Sequence, residues 1–209
     1  MNAPTVFLVD DDAAVRDSVS LLLETAGLSV EAYESAESFL AALDPERPGC
    51  LVLDMRMAGM GGMELQAELA RRGIPLPIIF LTAHGDIPTT VRAMKAGAVD
   101  FLTKPVDSAV LLERIEAALV RARSDRESQA ARQEARARLA VLTEREREIL
   151  ALAVAGCANK EIARRLGISF RTVEVHRSHI LLKTGTETLL ELAQLVAAGG
   201  LAETNVPPS

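Results

Sequence analysis

The chain lacks what a disulfide scaffold, a membrane protein or a disordered tail would need. Only two cysteines occur in 209 residues, Cys50 and Cys157, both in apolar segments, with no Cys-x-x-Cys pair and no histidine at zinc spacing. This excludes a disulfide framework and fits buried free thiols in a reducing compartment. No uncharged apolar run approaches the ~18 residues of a membrane span. The longest, across residues 73–85, contains Pro75 and Pro77 and is broken by Asp86. The N-terminal MNAPTVFLVDDD has no basic segment ahead of its apolar residues, so the expectation is a cytoplasmic protein with no signal peptide and no membrane contact. With 13 Gly and 9 Pro, 49% hydrophobic and 25% charged residues, the chain is neither low-complexity nor disordered as a whole. Its length leaves room for one or two domains.

Positive charge is also scarce overall: the net charge is −6, which argues at first against a nucleic-acid partner. The distribution reverses that reading. Residues 1–120 hold 18 acidic and 9 basic side chains, a net of −9, whereas residues 121–209 hold 11 acidic and 14 basic, a net of +3. Within 159–183, six basic residues face only Glu161 and Glu174. An acidic front and a basic back point to two domains with different partners.

In the front half, short apolar runs at 6–9, 28–33, 50–53, 78–81 and 99–102 alternate with helix-length segments at 13–26, 36–43, 62–71, 89–96 and from Ser108 onward. Three of the runs are apolar throughout, as expected for a parallel sheet covered by helices on both faces. Five successive strand–helix units predict a doubly wound α/β domain with sheet order 2-1-3-4-5. From 121 to 140 the composition turns to Ala, Arg, Glu and Gln. That stretch reads either as a continuation of the last helix or as a solvated linker. Beyond it, Thr143-Glu-Arg-Glu146 is a capping box. Helices are expected from there to Gly156, at 160–166, at 171–184 and at 189–198. The three-residue turn Gly167-Ile168-Ser169 has the format of a helix-turn-helix.

The acidic residues fall at telling places. Asp10, Asp11 and Asp12 follow the first strand, and Asp54 follows the third. In the proposed order these strands are neighbours, so Asp10, Asp11 and Asp54 converge at the edge where ligands bind. Clustered carboxylates call for a cation, and an all-oxygen set suits Mg²⁺. Thr82 ends the fourth strand and Lys104 lies just past the fifth. A carboxylate nucleophile, a divalent cation, a hydroxyl and a fixed positive charge are the parts of a phosphoryl-transfer site. Taken singly, an Asp after a strand more often caps a helix, and Asp12 is read that way.

The strings LVDDD, LVLDMRM, IIFLTAHGD and AVDFLTKP, over residues 4–122, resemble the receiver domain of two-component response regulators. The resemblance implies that Asp54 accepts a phosphoryl group from a sensor histidine kinase. It also implies that Asp10, Asp11, Asp54 and the backbone carbonyl of Arg56 hold Mg²⁺, and that Thr82 and Lys104 contact phosphoryl oxygens. Lys104–Pro105 would be a cis peptide, and Phe101 either the aromatic switch residue, with Thr82, or a plain core residue. Ala58 departs from the family, which usually has Pro there. The strings LTEREREIL, NKEIARRLGIS and RTVEVHRSHI resemble the LuxR-type helix-turn-helix domain of NarL/FixJ regulators, FixJ-like members above all. By that likeness Glu174, Val175 and Ser178 face base edges, and Lys160, Arg171, Thr172, Arg177, His179 and Lys183 contact phosphates. For Arg164, Arg165 and Lys183 the alternative is a merely solvated face. His176 reads as a packed structural residue. Ala158, Leu182 and Thr184 depart from the usual pattern, and Leu182 either removes a backbone contact or belongs to a dimer surface.

The expected organisation is a receiver at 1–122, a helical linker at 123–138, a small all-α four-helix DNA-binding domain at 139–201 and a flexible tail at 202–209. The expected function is phosphorylation-dependent transcription control. The implied partners are a sensor kinase, promoter DNA, RNA polymerase and a second copy of the chain on phosphorylation. The enzyme alternative is a Mg²⁺-dependent phosphohydrolase of the haloacid dehalogenase type, built on Asp10, Asp12, Thr82 and Lys104. A third reading is an adaptor whose helical end binds protein.

Overall fold

A computed structural model describes residues 4–83 and 87–200; the tail expected at 202–209 lies outside the described residues. The chain divides into two compact units, Met1–Asp125 and Arg126–Ser209. In the first, strands β1 (Thr5–Val9), β2 (Ser29–Tyr33), β3 (Gly49–Leu53), β4 (Ile78–Thr82) and β5 (Asp100–Thr103) alternate with helices α1 (Ala13–Thr25), α2 (Ala36–Ala42), α3 (Gly62–Arg71), α4 (Ile87–Lys95) and the opening turns of α5 (Ser108–Ala140), whose later turns belong to the second unit. All strand pairs are parallel, in the order β2-β1-β3-β4-β5, as expected for a doubly wound sheet.

The uniformly apolar strands β1, β3 and β4 are buried along their whole length. Their side chains alternate between two cores, because successive residues of a strand point to opposite faces. Phe7, Val9, Leu51, Leu53 and Phe80 pack with Phe39 of α2 and Leu65 and Leu69 of α3. Val6, Leu8, Val52, Ile79 and Leu81 pack with Val19 and Leu23 of α1 and with Leu111 and Ile115 of α5. Cys50 lies in this second core, and burial pushes its thiol up to about 12. Helix α4 begins two residues ahead of its expected start, with Pro88 in its first turn, where the missing N–H has no intrahelical partner to lose.

The stretch rich in Ala, Arg and Glu continues the last α/β helix: α5 is a single helix of 33 residues. Its final turns bury Ala135, in the stretch expected as a linker, and Leu139 in the core of the helical unit. That unit adds α6 (Glu144–Val154), α7 (Asn159–Leu166), α8 (Phe170–Thr184) and α9 (Leu189–Ala198). Thr143 and Glu146 form the capping box of α6. Gly167, at φ 64 in the left-handed region, ends α7 in a conformation that a side chain would disfavour. Ser169 then caps α8, accepting from Thr172 N at 3.0 Å. At the other end of α8, Arg138 of α5 donates to the carbonyls of Thr184 (2.8 Å) and Gly185 (3.1 Å), placing positive charge where the helix dipole is negative. Ile162, Val173, Ile180, Leu192 and Val196 fill the core.

Candidate functional site

Because the five strands are parallel, their C-terminal ends share one edge, and Asp10, Asp11, Asp54, Thr82 and Lys104 lie at such ends. Asp54 continues β3, its amide donating to Val9 O at 2.8 Å, and Lys104 continues β5, donating to Thr82 O at 2.7 Å. One oxygen from each of Asp10, Asp11 and Asp54 falls within 4.8 Å of the others. Asp10 and Asp54 are buried, at 1% and 7% exposure, while Asp11 is exposed. The Lys104 ammonium bridges the two buried carboxylates, 2.5 Å from Asp10 Oδ2 and 3.3 Å from Asp54 Oδ1.

A backbone amide supports each carboxylate. Asp10 Oδ1 accepts from Asp12 N at 3.0 Å, Asp54 Oδ2 from Arg56 N at 3.2 Å, and Asp11 Oδ2 from Ala58 N at 3.2 Å. Burial, reinforced by the Asp10 charge, raises the Asp54 pKa above the ordinary carboxylate value, while Lys104 opposes the shift. Burial would lower Lys104, but its bonds to Asp10 and its attraction to Asp54 outweigh that and hold the ammonium above its usual pKa. Three carboxylates against one ammonium leave an excess of negative oxygen donors.

Thr82 is buried at the end of β4, and Lys104–Pro105 is cis. Phe101 is half-buried and faces Phe80 across the β4–β5 pair, with ring centroids 6.2 Å apart. Arg56 is exposed on the loop after Asp54. Asp12 turns to α1 instead, accepting from Ala14 N at 2.9 Å as its N-cap.

In the helical unit, Arg171, Glu174, Val175, Ser178 and Leu182 recur at three- and four-residue spacing on α8 and are all exposed, so they share one face, opposite buried Val173, Ile180 and Thr184. Lys160 and His179 are exposed as well. Two of the expected cationic contacts are engaged within the protein. Lys183 donates to buried Glu146 at 2.8 Å, and Arg177 to Asn159 Oδ1 at 2.5 Å. Thr172 is half-buried, its hydroxyl 2.8 Å from that of Ser169. Arg165 pairs with Glu161 at 2.6 Å. Among the described residues Lys160, Arg164 and Arg171 make no ion pair.

Residues 6–116 match the model of the response regulator receiver domain, and residues 140–196 that of bacterial regulatory proteins of the luxR family. The chain belongs to the response-regulator family. It is similar to the transcriptional regulatory protein FixJ of Azorhizobium caulinodans, 45% identical over 94% of this chain and 93% of that protein. Its likeness to the transcriptional regulatory protein TdiR of Thauera aromatica is 46%, over 95% of this chain and 87% of TdiR. Among solved structures, the response regulator StyR matches with a TM-score of 0.84 at 46% identity, covering 94% of this chain and 99% of StyR. This response regulator is thus a transcription regulator of the two-component type, with a receiver domain and a LuxR-type DNA-binding domain. No helix among the described residues is long and apolar enough to cross a membrane.

Three supporting residues of the response regulator's acidic site escaped sequence reasoning. Gly62, at the start of α3, lies so close to the acceptor loop that a Cβ there would meet Asp54 O at 2.3 Å. Arg16 of α1 donates to Asp10 O at 2.8 Å, and Glu37 of α2 accepts from Met60 N at 3.0 Å. The doubled glycine at 61–62, where α3 begins, is the one local signal.

Proposed function

We propose that Asp54 is the phosphoacceptor of a cytoplasmic response regulator and that its phosphorylation governs DNA binding by α8. The observation that carries this reading is the buried Asp54 carboxylate at a sheet edge, 3.3 Å from the Lys104 ammonium and clustered with Asp10 and Asp11. An oxygen of Asp54 attacks the phosphorus of a sensor kinase's phosphohistidine. The P–N bond breaks, the imidazole nitrogen keeps the electron pair and takes up a proton, and an acyl phosphate is left on Asp54. Lys104 supplies fixed positive charge to the phosphoryl oxygens and Thr82 a hydroxyl. Burial raises the Asp54 pKa, and the Lys104 charge opposes that rise.

The all-oxygen donor set of Asp10, Asp11 and Asp54 fits a hard divalent cation. Those residues and the backbone carbonyl of Arg56 would hold Mg²⁺, which when bound neutralises charge on the phosphoryl oxygens. The phosphohydrolase alternative needs Asp12 in the site, but Asp12 caps α1, and it leaves Asp54 without a role.

At the other end, Glu174, Val175 and Ser178 would read base edges, and Lys160, Arg171, Thr172 and His179 would hold phosphates. Arg177 and Lys183 would join them on leaving Asn159 and Glu146. Phosphorylation would shift a receiver equilibrium through Thr82 and Phe101 and favour a homodimer whose two α8 helices reach half-sites about one turn apart, with RNA polymerase as the downstream partner. The acceptor assignment is tested by intact-mass spectrometry after incubation with acetyl phosphate and Mg²⁺. The unaltered protein should gain one hydrolysable phosphoryl group and Asp54→Asn none; labelled Asp54→Asn would contradict it.

A further inference from the structure

The three carboxylates of the acidic cluster are not held alike. Asp10 and Asp54 are buried, share Lys104, and take their backbone amides from residues two positions along their own loops. Asp11 is exposed and lacks an ion pair among the described residues. Its one amide, Ala58 N at 3.2 Å, comes from the loop after Asp54, 47 residues away. That loop is tied from its other side by Glu37, which accepts from Met60 N at 3.0 Å.

The donor exists because residue 58 is not proline. A proline here would have no N–H and so no donor to Asp11.

We infer that the Ala58 amide is a positioning group for cation binding, holding Asp11 in the cluster before the cation arrives. The inference rests on reading Asp10, Asp11 and Asp54 as the Mg²⁺ site. An exposed aspartate that must be drawn in from free rotamers loses side-chain entropy on binding, whereas one already held by a fixed N–H has lost it in advance. The same N–H bonds one oxygen of Asp11 and leaves the other for a cation. Donors of this kind behind a metal ligand commonly set its affinity. The tie also links the loop after β1 to the acceptor loop after β3.

The test is isothermal titration of the full chain with Mg²⁺ alone. Ala58→Pro removes the N–H and should weaken binding roughly three- to tenfold, the effect of one charge-assisted hydrogen bond on a partly exposed ligand. Ala58→Gly keeps the N–H while loosening the loop, and should bind within about twofold of the unaltered protein. A merely structural role would lower the thermal midpoint of Ala58→Pro without this split in Mg²⁺ affinity. Should Ala58→Pro not fold, an α-hydroxy acid at position 58, which replaces only the N–H, carries the same expectation. Unchanged or tighter binding in Ala58→Pro, or equal loss in Ala58→Gly, would overturn the inference while leaving the metal site standing. Absence of Mg²⁺ binding by the unaltered protein would overturn both.

Discussion

Replacing Glu146 should loosen α8 from a distance, although Glu146 lies on α6. Its Oε2 accepts from Thr143 N (2.8 Å), Thr143 Oγ1 (3.0 Å) and Lys183 Nζ (2.8 Å), and its side chain is 4% exposed. Glu146→Ala removes the reciprocal half of the cap, worth about 1 kcal/mol. It also breaks the pair to Lys183. The lysine side chain is 38% exposed and rehydrates once released, so the pair adds only about 1 kcal/mol. For the opening that exposes α6 and α8 together, a total of about 2 kcal/mol corresponds to about 30-fold faster amide exchange in α8. Glu146→Gln preserves the cap, since glutamine also closes a capping box, and should lose only about fivefold. Hydrogen exchange followed by mass spectrometry on α8 peptides reads both values. Unchanged protection in Glu146→Ala, or equal loss in the two variants, would refute the reasoning.

The same group fixes a pH window. Burial alone would raise the Glu146 pKa, but the Lys183 and Thr143 hydrogen bonds outweigh it and bring the carboxyl from 4.5 down to about 2. A depressed carboxylate stabilises the fold fully above its unfolded pKa and loses that contribution as pH falls toward the folded one. Protection of α8, corrected for intrinsic exchange, should therefore decline between about 4.5 and about 2. This component should be absent in Glu146→Gln; a decline of equal size there would assign it to other carboxylates.

Two further outcomes are expected. Gly62→Ala puts a methyl 2.3 Å from Asp54 O, which forces α3 away from β3. It should lower stability by about 1–3 kcal/mol in denaturant titrations and slow labelling by acetyl phosphate; unaltered stability and labelling would show that the loop gives way freely. Leu182 is 81% exposed at the end of the α8 face that carries Arg171, Val175 and Ser178. Leu182→Arg should steepen the log–log salt dependence of DNA binding by about one unit, and an unchanged slope would show that position 182 does not reach the DNA backbone.

The legibility of this protein in its sequence follows from what is local. Uniform apolar runs between helix-length segments suffice for a parallel sheet, and a parallel sheet brings residues after its strands to one edge. Asp10, Asp54 and Lys104 were thus readable before any contact was known. Asp12 was readable as a cap because its partner, Ala14, is two residues away.

The unreadable part is the set of side-chain pairs across long separations. Lys183 reads as a phosphate contact or a solvated side chain, and its donation to Glu146, 37 residues away, has no local signal. Arg138 lay in the supposed linker, yet it closes α8 from 46 residues away. The six cations of 159–183 were a fair signal of a basic domain but overstated the free charge, since Arg165 and Lys183 are paired within the unit. The overall net charge of −6 hides a receiver and a DNA-binding domain of opposite sign.

The central claim is that a phosphoryl group on Asp54 raises affinity for DNA. The most direct test is footprinting of genomic fragments by the full chain at fixed salt, with and without acetyl phosphate, beside Asp54→Asn. Protection at discrete sites that strengthens on phosphorylation of the unaltered protein, and does not change for Asp54→Asn, is the predicted result. Equal strengthening in Asp54→Asn, or sites indifferent to phosphorylation in both, would contradict it.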